Sequence, residues 1–170
     1  MSHRIFIGID NGNTGTIGWV GDGVHPTIIE TPVLVEQSYT KKAQNLTRID
    51  HFRVVAVLKE VLGANDPSDV MVVMERPMTN NKFASGVVSA ARAFEVTRCL
   101  VEQLRLPHMF IDSRQWQKVM LPTGIKGSDN LKRASKDIGL RLFPDQEAVI
   151  AKHKDADALL MAEWARRTGL

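Results

Sequence analysis

The chain has 170 residues, of which 44% are hydrophobic and 24% charged, so it can bury a core and is not intrinsically disordered. Its uninterrupted apolar runs reach only five residues, far short of the ~20 that a membrane span needs, and its formal net charge is +3. The single cysteine, Cys99, excludes an intramolecular disulfide and a cysteine-based metal site. We expect one soluble domain over residues 1–170 with no membrane partner, located in the cytoplasm because no signal-peptide pattern begins the chain.

The first part of the chain predicts an antiparallel meander followed by a helix. Strands are predicted at 5–9, 16–20 and 27–34, because β-branched and apolar segments there are separated by turn residues. Pro32 interrupts the third of these segments, and the polar residues 35–48 predict a loop over one face. Apolar residues then recur at helical spacing over 50–62, which predicts a helix.

The second part of the chain alternates strands with helices. The predicted elements are a strand at 70–74, a helix at 84–104, a strand at 108–111 and helices at 113–120, 129–142 and 155–166. The run 70–74 is apolar without alternation, which is typical of a central strand covered on both faces. Ser113 is the predicted N-cap of the helix at 113–120. This order predicts an α/β fold, with a mixed five-stranded sheet and helices on both faces.

The small positive charge of the chain is concentrated in one segment. Residues 113–141 carry seven basic and two acidic side chains, a net charge of +5, whereas residues 1–50 have a net charge of −1 and residues 51–112 are neutral. Such a segment fits either a surface for a phosphate backbone or a solvated helix face, and charge alone leaves both interpretations open.

Four acidic residues stand where the predicted elements can bring them together. Asp10 ends the first strand, Glu75 follows the strand at 70–74, and Asp155 and Asp157 open the last helix. Each acid alone also fits an ordinary role, as a turn residue, a strand-end ion pair or an N-terminal helix acid. Crowded carboxylates, however, repel one another unless a cation neutralises them, and oxygen ligands suit Mg²⁺ or Mn²⁺. Two such ions can activate a water and stabilise the leaving oxygen in phosphodiester cleavage.

These acids and their neighbours resemble a known nuclease family. The segments Ile7-Gly8-Ile9-Asp10, Val73-Met74-Glu75-Arg76-Pro77 and Asp155-Ala156-Asp157-Ala158-Leu159 look like motifs of the RuvC-type Holliday junction resolvases, and more closely of their phage and prophage members. The resemblance covers about residues 4–165. It implies the RNase H-like fold, a homodimer and cutting of branched DNA in recombination, repair or phage DNA processing. It also implies two Mg²⁺ ions in each site, with Mn²⁺ able to replace them.

Carried over residue by residue, the resemblance assigns roles to particular side chains. It makes Asp10 the ligand that bridges both metals, Glu75 a ligand of one metal, and Asp157 the last acidic ligand. The resemblance and the basic segment together predict these DNA-binding residues: Arg76, Arg114, Lys118, Lys126, Lys132, Arg133 and Lys136. Residues 78–83 are expected to hold a wedge that enters the branch point, or else a loop anchor that packs on its own domain.

One metal ligand departs from the family pattern. The family places it three residues before the last acidic ligand, and here that residue is Lys154. Residues two apart do not share a helix face, so Asp155 can join Asp157 at the same metal only from an unwound helix start. His153 is the competing ligand, and we favour Asp155 because an acid at a helix start is free to turn inward.

Other functions share parts of this pattern. Residues 10–18 also resemble the phosphate-binding turn of the actin and sugar-kinase superfamily, which predicts ATP binding but needs two domains around a cleft. A different RNase H-like nuclease, acting on structured RNA or on other branched DNA, would share the acids, and a non-catalytic DNA-binding module would not need them. We therefore expect a Holliday junction resolvase, a crossover junction endodeoxyribonuclease that hydrolyses phosphodiester bonds, with the other RNase H-like nuclease as the alternative.

Overall fold

The computed structural model describes residues 4–37, 45–77 and 84–170. The strands are β1 (Ile5–Asp10), β2 (Thr16–Gly21), β3 (Thr27–Glu30), β4 (Val33–Gln37), β5 (Asn45–Ile49), β6 (Val70–Glu75) and β7 (His108–Ile111). The helices are α1 (His51–Leu62), α2 (Ala84–Gln103), α3 (Ser113–Met120), α4 (Ser128–Leu142), α5 (Glu147–Ile150) and α6 (Asp157–Thr168). None of the helices in these ranges is long and apolar enough to cross a bilayer.

The centre of the fold is a five-stranded sheet in the order β3-β2-β1-β6-β7. β1, β2 and β3 form the antiparallel meander that the sequence predicts, whereas β6 pairs parallel to β1 and β7 pairs parallel to β6. Parallel neighbours need a crossover connection, and the chain passes through α1 before β6 and through α2 before β7. The sheet is therefore mixed, as predicted.

Side chains of the sheet pack into two cores, one on each face. Ile5, Ile7 and Ile9 of β1 are buried together with residues of α1 and α2, whereas Phe6 is buried in the other core with the residues of α6. This division follows from the alternation of side chains along a strand. The prediction of helices on both faces of the sheet is thus confirmed, and the even-numbered side chains of β1 face α6.

Two glycines allow α6 to lie directly on the sheet. A Cβ atom built on Gly8 would lie 2.0 Å from the carbonyl oxygen of Ala158, and one on Gly18 would lie 2.6 Å from the backbone nitrogen of Leu159. Only a residue without a side chain fits at such distances. The first turn of α6, which begins with Asp157, is therefore held against β1 and β2.

The sequence predictions for residues 27–48 are only partly right: the strand at 27–30 and the interruption at Pro32 are confirmed, but the continuation of that strand to residue 34 and the loop at 35–48 are wrong. Instead of one strand at 27–34 and a loop at 35–48, the chain leaves the central sheet after Glu30, and β4 and β5 form a separate antiparallel sheet. The break falls at Thr31 and Pro32, where the Thr31 N–H donates to Gly15 and the Pro32 carbonyl accepts from Asp50. Pro32 has no N–H to extend a ladder, so the chain turns away here. Residues 38–44 lie outside the described ranges.

Smaller differences concern helix starts. Asp112, not Ser113, is the N-cap of α3, and its backbone N–H donates a 2.8 Å hydrogen bond to the side chain of Gln115. An N-cap residue stands just before the first helical residue, which here is Ser113. The last helix begins at Asp157 rather than at residue 155, and the short helix α5 is not predicted by the sequence.

Candidate active site

Asp10 and Glu75 lie at the ends of adjacent strands. β1 and β6 run parallel, with Ile9 paired to Met74, so the two acids follow at neighbouring positions. Glu75 shares its face of β6 with Val73, which belongs to the same core as α6. Both carboxylates therefore face the start of α6, in the side-by-side arrangement that the sequence predicts.

Asp155 reaches this place from outside the helix. It belongs to the non-helical segment that precedes α6, so the spacing of two residues from Asp157 does not separate their carboxylates. Asp155 is only 1% exposed, and its Oδ1 accepts a long bond of 3.4 Å from the Asp157 N–H. Its Oδ2 is buried and has no hydrogen-bond partner. Such an atom is unfavourable unless a cation or a proton satisfies it.

The four carboxylates line one cavity of about 500 Å³. Its charged lining residues are Asp10, Glu75, Asp155, Asp157, Arg114, Lys132 and Lys154. His153 is not among the lining residues, and its described contacts are made by its backbone groups. The structure therefore brings Asp155, the favoured ligand of the two candidates, to the same cavity as the other three acids.

Burial and mutual repulsion disfavour ionisation of these acids. Burial raises the pKa of Asp10 well above its ordinary value, and the charges of Glu75, Asp157 and Asp155 raise it further. Burial, followed by the charge of Asp157, raises the pKa of Glu75 to about 7. Burial, followed by the charge of Asp155, raises the pKa of Asp157 to about 6. Near neutral pH the cavity therefore favours bound protons or a bound cation.

Neighbouring side chains oppose part of this effect. Burial remains the largest influence on Glu75, but hydrogen bonding from Trp116 and Ser113 of α3 lowers its pKa. The Trp116 indole is fully buried, and its N–H makes no hydrogen bond of standard geometry. For Asp157, Ser135 of α4 acts in the same way. Helices α3 and α4 therefore supply polar support to acids that stand on other elements.

The donor set fits a divalent cation. Carboxylate oxygens are the ligands that Mg²⁺ and Mn²⁺ prefer, and the Oδ2 of Asp155, which has no hydrogen-bond partner, is available as a metal ligand in this cavity. Within the described ranges, no three His, Cys, Asp or Glu side chains are already close enough together to hold a metal ion. The acids thus share a cavity without forming a finished ligand cage, which agrees with their mutual repulsion.

The turn after Asp10 is tied to three other elements. The side-chain amide of Asn11 donates to the backbone carbonyl of Glu75. That of Asn13 donates to the Thr47 carbonyl at 2.8 Å and to the Ser89 hydroxyl at 3.1 Å. The sequence indicates these asparagines only as turn residues, and their partners are 34 to 76 residues away, so no local pattern could have assigned them this role.

The predicted DNA-binding residues occupy different positions around the cavity. Arg114 and Lys132 line it, and Arg114 also lines an adjoining groove of about 440 Å³ together with Lys118. Lys126 and Arg133 are exposed. Arg76 follows Glu75 and lies 3.3 Å from the carboxylate of Asp112. The predicted wedge region at 78–83 lies outside the described ranges.

Lys136 differs from the other predicted DNA-binding residues because its ammonium group binds backbone carbonyl groups of the same chain. Its Nζ donates hydrogen bonds of 2.7 Å to the carbonyl oxygens of Ala151 and His153. The neighbouring Ser135 hydroxyl accepts a 3.2 Å bond from the Ala156 N–H. α4 thus holds the segment that carries Asp155, and Lys136 is placed to position that segment. Its basic character in the sequence indicates a surface cation and gives no sign of this clamp.

The fold and the cavity define an α/β protein with a mixed five-stranded sheet and with acids at two strand ends and around one helix start. The chain is similar in structure to Thermus thermophilus RuvC in complex with a Holliday junction substrate, at 16% sequence identity and a TM-score of 0.54, over 98% of this chain and 97% of that one. A second structure of T. thermophilus RuvC is 18% identical, with a TM-score of 0.50 and 97% of each chain covered. No protein-family model matches the chain, and no curated protein matches it.

Proposed function

We propose that this chain is an endonuclease that requires a divalent cation and resolves four-way DNA junctions. The observation that carries the proposal is the convergence of four carboxylates, in an RNase H-like fold, on one cavity that also has basic residues in its wall. A protein of similar fold, T. thermophilus RuvC, has been solved with a Holliday junction substrate. In this proposal the protein acts in the cytoplasm of a bacterial or phage-infected cell, in recombination, repair or phage DNA processing.

Asp10, Glu75, Asp155 and Asp157 would hold the cation, with two Mg²⁺ or Mn²⁺ ions per site as the proposed content. A bound divalent cation supplies an activated water and charge stabilisation at the scissile phosphate. Asp155 is buried and the other three acids are partly buried. The hydrogen bonds of Ser135 to the Ala156 N–H and of Asn11 to the Glu75 carbonyl hold the segments that carry them. The protein's part is therefore to hold the acids in place.

Basic residues would hold the DNA around this cavity. Arg114 and Lys132 stand in its wall and are placed for the phosphates nearest the cut. Lys118, Lys126 and Arg133 would bind phosphates farther along the strand. A junction has two symmetry-related strands to be cut, so we propose a homodimer that presents two such cavities.

The test compares the wild type with Asp10→Asn on a labelled four-way junction, a flap, a duplex and a structured RNA, with all cut sites mapped. We expect paired nicks in the junction with Mg²⁺, and a loss of roughly 10³-fold or more in the variant, because a central cation ligand is gone. Binding of the junction should be largely retained. Wild-type cleavage by Asp10→Asn would contradict the assignment of the metal ligands.

The substrate panel separates the competing functions. Preferred cutting of the structured RNA, or of the flap, would replace junction resolution by another RNase H-like nuclease activity. ATP hydrolysis without any nicking would instead support the kinase-like alternative. Sedimentation of the free protein and of its junction complex tests the homodimer.

Lys132 and Lys136 make a matched pair on one helix. Lys132→Ala is expected to weaken junction binding and to flatten its salt dependence, because a lost phosphate contact releases about one counterion fewer. Lys136→Met should leave the salt slope unchanged and lower the melting temperature, because its ammonium group binds two backbone carbonyls. Titrations at several salt concentrations together with thermal melts measure both effects. Equal salt slopes for Lys132→Ala and the wild type would remove Lys132 from the DNA interface.

A further inference from the structure

A lysine stands in the wall of the carboxylate cavity. Lys154 lies in the segment before α6, and its Nζ donates a 3.0 Å hydrogen bond to the backbone carbonyl of Thr14, in the turn that follows β1. The side chain therefore bridges the two segments that carry Asp10 and Asp155. This bond orients a side chain that is exposed to solvent.

The ammonium group of Lys154 is not paired with the acids around it. Among the described residues it forms no ion pair with a carboxylate, although its charge lowers the pKa of both Asp10 and Asp157 against the dominant effect of burial. An ammonium group has three N–H donors, and Thr14 takes one of them. Donors thus remain for another acceptor at the cavity.

The charge of the cavity indicates what that acceptor is. When all groups are ionised, the four acids outnumber Arg114, Lys132 and Lys154 by one, so the lining has a net charge of −1. Without Lys154 the net charge would be −2. With the two proposed divalent cations bound, the lining and the ions together would carry a net charge of +3, so the cavity attracts a phosphodiester, which carries one negative charge, and Lys154 adds to that attraction.

We propose that Lys154 is a catalytic residue whose ammonium group binds a non-bridging oxygen of the scissile phosphate, while the Thr14 carbonyl holds it in place. This inference rests on the proposed nuclease function and adds a substrate contact to it. Negative charge increases on the non-bridging oxygens of the phosphate while the nucleophile displaces the leaving oxygen. The contact with Lys154 therefore strengthens in the transition state. Lys154 transfers no proton in this scheme. Its role differs from that of an internal counter-ion, which would only relieve repulsion among the acids.

The experiment uses the full chain and compares Lys154→Met, Lys154→Arg and Lys154→Asp with Lys152→Met. Lys152 is exposed, lies two residues earlier and is not among the cavity-lining residues, so it is a matched control for a lost surface charge. Three quantities are measured: the single-turnover nicking rate on the labelled junction, the affinity for the junction in EDTA, and the affinity for Mn²⁺ alone by calorimetry. Thermal melts confirm that each variant folds.

We expect Lys154→Met to lower the nicking rate by about 10²-fold, the usual effect of losing one transition-state contact. Its junction affinity in EDTA should stay within about threefold of the wild type, and its Mn²⁺ affinity should be equal or higher, because a neighbouring positive charge has been removed. Lys154→Arg should restore part of the rate. Lys154→Asp should bind Mn²⁺ more tightly and still nick slowly, because it adds an oxygen ligand but lacks the cation.

Different outcomes overturn different statements. If Lys154→Met nicks at the rate of the wild type and of Lys152→Met, the lysine is only an internal counter-ion. If Lys154→Asp nicks as fast as the wild type or faster, position 154 serves the cation and not the phosphate. In both cases the proposed function survives. If neither the wild type nor Lys152→Met nicks the junction, the flap, the duplex or the RNA, the proposed function fails and this inference fails with it.

Discussion

Glu75→Gln is expected to raise the melting temperature of the metal-free protein at pH 8, although it removes a residue of the candidate active site. At that pH the wild type carries a buried charge beside those of Asp157 and Asp155, and burial is the largest unfavourable influence on it. Glutamine has the same shape without the charge. The pKa shift corresponds to about 3 kcal/mol, which for a chain of this size raises the melting temperature by about 6–12 °C.

The sign of the pH dependence follows from the raised pKa. Glu75 has a pKa of about 7 in the folded protein, and its ordinary value, taken for the unfolded chain, is 4.5. Between pH 4.5 and pH 7 the folded chain therefore keeps a proton on Glu75 that the unfolded chain has released. The free energy of unfolding therefore falls as the pH rises from about 4.5 to 7, and the loss is complete above pH 7. Asp157 adds a fall in the same direction between 3.8 and about 6.

Thermal melts in EDTA at pH 4.5 and pH 8 measure this effect, with Glu60→Gln as a control at an exposed carboxylate. The gain of Glu75→Gln should be present at pH 8 and nearly absent at pH 4.5, and Glu60→Gln should show neither. Added Mg²⁺ should then stabilise the wild type more than the variant, because a cation that binds the folded state adds to its stability. A wild type that is more stable than Glu75→Gln at pH 8 in EDTA would show that burial of this charge is not the dominant influence.

Much of the site was predictable because its acids stand at the ends of elements with strong local patterns. The apolar run 70–74 and the β-branched residues of β1 mark two buried strands, and residues just after buried strands meet at one edge when the strands are parallel neighbours. For Asp155 the spacing predicted only a condition. It could share a metal with Asp157 only from a non-helical residue, with His153 as the alternative ligand, and the structure places Asp155 before the start of α6.

The remaining features depend on partners that are distant in sequence. Lys136 and the carbonyls of Ala151 and His153 are 15 and 17 residues apart, and the clamp forms only when α4 packs beside the segment before α6. A lysine in a basic helix has the same sequence pattern whether it faces DNA or a carbonyl. The β4–β5 sheet was missed for a related reason, since the pairing of Leu34 with Arg48 is set across an intervening segment and not by alternation within either strand alone.

The second large effect is expected at Gly8, where α6 lies on β1. The Cβ of Gly8→Ala would stand 2.0 Å from the Ala158 carbonyl oxygen and 2.9 Å from the Ala162 nitrogen. Both are backbone atoms of a helix whose residues 158–165 are buried, so neither can move aside without shifting the helix. We expect a loss of about 3 kcal/mol or more in the free energy of unfolding, at the upper end of overpacking effects.

Urea unfolding of Gly8→Ala and Gly23→Ala separates close packing from backbone strain. Gly23 has a φ of +74°, and a Cβ there would meet nothing within 4 Å, so its substitution carries only the left-handed backbone penalty of about 1 kcal/mol. Any Gly8→Ala protein that still folds should also nick the junction more slowly than Gly23→Ala, because a displaced α6 moves Asp157 away from Asp10. Equal destabilisation of the two variants, with equal nicking rates, would mean that α6 can shift on the sheet without disturbing the acids. The close contact between Gly8 and α6 would then have no part in assembling the site.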